Sequence, residues 1–181
     1  TVEAPEKAQV SEFYLDDGKL YLLSTVFPEG IEQEDGTYTF PPETTRLDTY
    51  DVSDPANPTH LATITQSGTY RTSRFADGYV YLFSDLWSYD TAKREDPAAY
   101  VPSVNGEIMK CGDIYLPPAQ LGDHYLVITS INTENPGSTA DQKAVLCDGG
   151  SVYMSGESIF LYETTGQNWG IMPIARSLDM V

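Results

Sequence analysis

Positive charge is scarce in this chain. Ten Lys and Arg stand against 27 Asp and Glu, a formal net charge of −17 over 181 residues. A field of that sign repels phosphate backbones and anionic membrane surfaces, which disfavours nucleic-acid binding and leaves solubility, a cationic partner or a divalent ion as what the charge favours. Histidine and cysteine are also rare: His60 and His124, Cys111 and Cys147. Neither their spacing nor their neighbours suggest a zinc site, and each histidine reads as a strand residue. The cysteine pair is compatible with one disulfide or with two buried free thiols. No run approaches the roughly 20 apolar residues of a membrane-crossing helix, so no membrane insertion is expected. The opening TVEAPEKAQV lacks the basic start and apolar core of a signal peptide, which does not place the protein in the cytoplasm. A Gly-x-Ser-x-Gly elbow, a phosphate-cradling glycine loop and a Ser/His/Asp arrangement are all missing.

What is present is aromatic and repetitive. Thirteen tyrosines fit pleated, half-buried β surfaces and argue against disorder. The pattern Gly-x-[Leu/Val]-Tyr-[Leu/Met] recurs three times, in DDGKLYLLS (Asp16 to Ser24), DGYVYLFS (Asp77 to Ser84) and DGGSVYMS (Asp148 to Ser155). Each copy reads as a tight turn followed by a strand. KLYLLSTV and YVYLFS are apolar without alternation, as expected of a strand covered on both faces. Convincing helices are lacking, so the fold class is all-β. Repeats of this kind point to a β-propeller, here about three antiparallel four-stranded blades of an incomplete ring. The units are placed at residues 9–66, at 68–142 with an insertion over 85–123, and, in part, at 143–176. Pro28 to Thr44 reads as a long hairpin loop. Once it is set aside, the spacing from Gly18 to Gly78 falls inside the roughly 40–45 residues of a four-stranded blade. Exposed blade faces and strand edges predict self-association, unless the insertions cover them.

At TYDVSDPANP, SGTYRTSRF, KCGDIYLPPAQ, HYLVITSIN and SVYMSGESIFLYE, in that order, the chain resembles a family of secreted bacterial and archaeal β-propeller-domain proteins. That family is distantly related to the tryptophan–aspartate repeat propellers. The resemblance runs from about Asp16 to Glu163 and covers the central part of the family's propeller, which extends past both ends of this sequence. It implies an internal portion of a propeller in an extracellular or cell-envelope protein. It brings no catalytic residues. Ser73-Arg74 resembles a Ser-Arg pair of the family, and Arg74 is read as a structural tie between blades, with a clamp for a substrate carboxylate as the sharper alternative.

Candidate chemistry is sparse. Asp51, Asp54 and Asn57 crowd one turn and supply oxygens that calcium favours, but six to eight ligands and a calcium-loop spacing are missing, so side-chain turn capping is the simpler reading. No other cofactor is expected. Asp85, Asp90, Glu95 and Asp96 lie in or beside the insertion, where a glycosidase pair would need two carboxyls across one bond. Trp87, Tyr89 and Tyr100 in the same insertion offer flat, partly polar surfaces to a protein or glycan partner. The reading is a non-catalytic interaction or scaffold module. The alternative is part of a propeller hydrolase acting on polysaccharide or another extracellular polymer.

Overall fold

The computed structural model describes residues 1–87, 97–117, 124–147, 151–155, 158–163 and 174–178. The first sheet opens with β1 (Ala8–Asp16) and β2 (Lys19–Val26). Asp16 faces Lys19, so Asp17 and Gly18 alone turn the chain, with φ of 43° and 70°. Two consecutive positive φ values give the turn whose twist matches that of the flanking strands, and Asp and Gly are the residues that tolerate them. Asp77-Gly78 repeats the device at 50° and 78°. The expected loop after β2 holds a small hairpin, β3 (Ile31–Glu32) and β4 (Tyr38–Thr39), before β5 (Thr44–Asp51) and β6 (Thr59–Ser67) complete the sheet in the order β1-β2-β5-β6.

A single residue, Gly68, then carries the chain into β7 (Thr69–Ala76) of the second sheet, followed by β8 (Tyr79–Trp87). The insertion contributes β9 (Ser103–Val104), β10 (Glu107–Ile108) and β11 (Ile114–Tyr115), after which β12 (His124–Asn132) and β13 (Thr139–Cys147) close the sheet. Its core order is β7-β8-β12-β13. The segment AVLC is therefore the end of the second sheet's fourth strand. Residues 143–147 thus belong to the second unit and not the third, whose described strands are β14 (Ser151–Met154), β15 (Ile159–Glu163) and β16 (Ile174–Leu178).

The insertion protects both outer edges. β9 joins β6 through Gln66 and Val104, and Asn105 grips Thr65 twice, its N–H donating to the Thr65 carbonyl at 2.7 Å and its side-chain oxygen accepting from the Thr65 N–H at 2.9 Å. β11 lies parallel to β13 and pairs Ile114 with Ala144. Each edge strand is thus partly sheathed, which removes a template for unwanted strand pairing.

The three sheets stack face to face. Tyr21, Leu23, Leu47 and Ile64 of the first pack against Val80, Leu82 and Ile131 of the second. On the other face of the second sheet, Tyr81, Phe83, Leu126 and Ile128 pack against Ile159 and Leu161 of the third. Successive residues of β8 therefore point into two different cores, which is why YVYLFS shows no polar alternation. The repeat pattern also acquires a direction. Its tyrosine faces the following sheet at Tyr21 and Tyr81, and Val80 and Val152 face the preceding one.

Polar ties cross the first seam. The Gln66 amide is fully buried; it donates to Ser84 Oγ at 2.8 Å and the Val127 carbonyl at 3.2 Å, and accepts from Thr129 Oγ1 at 2.6 Å. At the opposite strand edge Glu12 of β1 accepts hydrogen bonds from Tyr70 and Ser73 of β7, and Tyr14 shares a 2.8 Å hydrogen bond with Ser73.

Candidate functional site

β8, β12 and β13 end together where the long insertion departs. Strand register sets Trp87 opposite His124 and His124 opposite Cys147. All three, with Asp85, lie on the face turned toward the third sheet, because they continue the alternation of Tyr81 and Phe83, Leu126 and Ile128, and Val145. The result is a small polar cluster at the rim of the second seam. Trp87, expected within the insertion, is the last residue of β8.

The imidazole of His124 is almost fully buried, and the Trp87 indole lies flat upon it, with ring centroids 4.2 Å apart and planes 28° apart. Trp87 itself remains 44% exposed. Arg71 donates from Nη1 to Asp85 Oδ1 at 2.8 Å. The register of β7 and β8 shifts between Tyr70 and Thr72, so Arg71 occupies a bulge, a feature that re-aims a side chain. An exposed aromatic plane is thereby fixed over a buried ring and flanked by a paired guanidinium and carboxylate.

The same cluster brings Cys147, His124 and Asp85 near one another without forming a catalytic relay. A relay needs the imidazole to serve nucleophile and acid through different nitrogens. Here Cys147 Sγ and Asp85 Oδ1 both lie 3.9 Å from Nε2, and buried Nδ1 has no hydrogen-bond partner among the described residues. Sequence reasoning read His124 as an ordinary strand residue and missed the cluster. The available signal was a histidine opening a strand directly after the insertion.

Tyr100 follows a short 3₁₀ turn at Pro97–Ala99 and is half-buried. It influences Tyr125, whose hydroxyl is pushed above its ordinary pKa by burial first and by Tyr100 second. Tyr125 packs with Leu86, Val104 and Met109, on the face of β12 opposite His124. Tyr89 lies outside the described residues, as do Asp90, Glu95 and Asp96.

Asp51 and Asp54 serve their own turn. Asp51 Oδ1 accepts from the Ser53 N–H at 2.9 Å, and Asp54 accepts from the Ala56 N–H at 3.0 Å and the Asn57 amide at 2.7 Å. Among the described residues no group of three or more His, Cys, Asp or Glu is placed to hold a metal. Arg74 is exposed, and its hydrogen bonds run to Thr72 Oγ1 and the Ser73 carbonyl of its own strand. The hydrogen-bonded tie between the sheets is made by its neighbour Ser73, while the charge of Arg74 acts across the seam on Glu12.

The cysteines are not bonded to each other. Cys111 is exposed on a 3₁₀ turn and Cys147 is buried, so neither the disulfide nor the pair of buried thiols describes them. Register gives the reason. Ile114 pairs in parallel with Ala144, so Cys111, which precedes that pair, and Cys147, which follows it, lie to opposite sides of it. A disulfide needs Cα atoms within about 7 Å.

Among the described residues no helix is long and apolar enough to cross a membrane. No curated protein matches the chain, and no solved structure matches it. Three stacked antiparallel sheets, a recurring turn-and-strand unit and a match to the beta propeller domain over residues 1–176 place the chain in that family, the beta-propeller domain family.

Proposed function

We propose that this chain is a non-catalytic interaction module of a secreted or surface β-propeller protein. Its binding surface is the rim of the second seam at the root of the insertion. The observation that carries this reading is the Trp87 indole, held flat on buried His124 while 44% exposed. An aromatic face fixed before binding loses little entropy on capture, and tryptophan contributes strongly where it meets sugars or protein side chains. Asp85 is already paired with Arg71, which suits a positioning role better than the acid–base work of a hydrolase. An extracellular or envelope setting follows from the family resemblance of the sequence and belongs to the proposal.

Trp87→Ala tests it. The stacked pair contributes about 0.5–1.5 kcal/mol, so loss of the indole should lower Tm by only a few degrees. Capture of soluble oligosaccharides and immobilised protein ligands in a binding screen should fall about tenfold or more. Capture at the wild-type level by a folded Trp87→Ala variant would move the binding surface elsewhere.

A further inference from the structure

The Trp87 rim lies between the second and third sheets, both of them parts of this chain. The stack on His124 occupies one side of the indole. His124 belongs to β12, so the other side of the ring looks toward the β7 side of β8. β7 begins at Thr69, opposite Asp85, and at Gly68 the chain departs for the first sheet, on the opposite face. Trp87 therefore stands two residues past the start of β7, and β7 does not run beside it. Asp85 lies two residues deeper on the same face. Its Oδ1 accepts from Arg71, whereas its Oδ2 accepts no hydrogen bond from the described residues.

An exposed indole face, a carboxylate oxygen and a guanidinium thus meet at one patch of the rim. We infer that this patch takes a neutral sugar, a pyranose unit of an uncharged oligosaccharide. The C–H face of the sugar lies on the indole, and one of its hydroxyls donates to Asp85 Oδ2. The inference rests on the Trp87 surface proposed above and names its ligand.

Charge and hydrogen bonding argue against the other ligand chemistries. A net charge of −17 repels an anionic polymer before it reaches the rim. A cation would gain from the indole face and from Asp85. The Arg71 guanidinium already sits 2.8 Å from that carboxylate, however, and repels a second positive charge at the same spot. An apolar protein side chain would cover the indole but strip water from the carboxylate without replacing it, which leaves a polar atom unpaired. A neutral pyranose answers each point. It carries no charge for the field or for Arg71 to oppose, it offers an apolar face to the ring, and its hydroxyls are donors for Asp85. Arg71, bonded to Oδ1, holds the carboxylate in place with Oδ2 turned to the ligand's hydroxyl.

Titration of tryptophan fluorescence with sugars of differing charge tests the assignment on the wild-type chain. The neutral probes are cello-, malto-, manno- and chito-oligosaccharides; chitosan oligomers serve as the cationic probe and oligogalacturonate as the anionic one. At least one neutral probe should bind at millimolar concentration or below, and the charged probes about tenfold more weakly or worse. Added salt should leave the neutral affinity unchanged, whereas capture of a cation would weaken with salt. Trp87→Ala should abolish the signal and Trp169→Phe should keep it. Asp85→Asn, checked for folding by circular dichroism, should weaken binding about tenfold. Tighter binding of a charged probe would overturn the neutral-sugar assignment while leaving the Trp87 surface standing. So would Trp87-dependent capture of protein ligands alone, with every neutral probe silent at millimolar concentration. Neutral-sugar binding that survives Trp87→Ala would overturn both the assignment and the surface.

Discussion

Glu12 gathers hydroxyl groups from two sheets onto one carboxylate. Burial raises its pKa, but hydrogen bonds from Tyr70, Ser73 and Tyr14 and the charge of Arg74 outweigh burial and leave it below the usual carboxylate value. The Tyr70 hydroxyl moves the other way, pushed far up by burial and by its bond to Glu12, so it stays a donor across the accessible pH range. A carboxyl with a depressed folded pKa stabilises the fold fully above its unfolded value and loses that contribution as pH falls through the folded one. Glu12→Gln should therefore destabilise the chain by about 1 kcal/mol at pH 7, partial exposure keeping the figure modest. The gap between variant and wild type in urea unfolding should close below the ordinary Glu range of about pH 4. An equal gap in acid and at neutrality would show that Glu12 acts by shape, not by charge. Arg74, whose bonds stay within β7, should tolerate Ala with much smaller effect.

At the scale of elements the decisive joint is Gly68. One residue links β6 to β7 and so sets the step from the first sheet to the second. Its φ is +97°, and a Cβ there would stand 2.5 Å from the Asp85 carbonyl oxygen and 2.8 Å from the Leu86 nitrogen. Those neighbours are backbone of β8 and do not yield as a side-chain tip would. Left-handed strain of about 1–3 kcal/mol and a comparable overpacking term both oppose a side chain. Gly68→Ala should lower stability by about 3 kcal/mol or more, read from the urea midpoint, whereas Gly36→Ala, with open space around it, should cost only the strain. Equal losses at both positions would remove the close approach from the explanation. The sequence foretold some of these elements and not others, for physical reasons. KLYLLSTV and YVYLFS were legible because covering a strand on both faces leaves no polar alternation, and Asp-Gly announced its turns through positive φ. TADQKAVLC was split because its first half, at the exposed end of β13, is polar, and only its pairing with β12 shows one strand. The rim cluster was illegible because Arg71, Asp85, His124 and Cys147 are scattered along the chain. Register and a bulge bring them together, and neither is written locally.

For the molecule as a whole, charge opposes compaction. A net −17 spread over sheets and loops repels itself, whereas among the described residues the ion pairs sheltered from water are few: Arg46 with Asp48, Arg71 with Asp85, Lys143 with Asp113 and Asp141. Those pairs sit at 2.6–3.3 Å and are partly or wholly shielded from water, so added salt weakens them little. Repulsion between unpaired carboxylates acts over longer distances and is what salt screens. Raising ionic strength from about 0.01 M to 0.1 M shortens the Debye length from about 30 Å to 10 Å. Tm at pH 7 should therefore rise by several degrees over that interval and level off above it, since one kcal/mol corresponds to about 2–4 °C for a chain of this size. Sodium chloride and tetramethylammonium chloride should give the same curve, because screening depends on ionic strength and not on the cation. A larger rise with calcium at matched ionic strength would instead reveal a bound ion, and Asp51 and Asp54 would be the first carboxylates to replace. A Tm that falls with salt would mean that the few pairs outweigh the field, which their number and the excess of 27 acidic over ten basic residues make the weaker term.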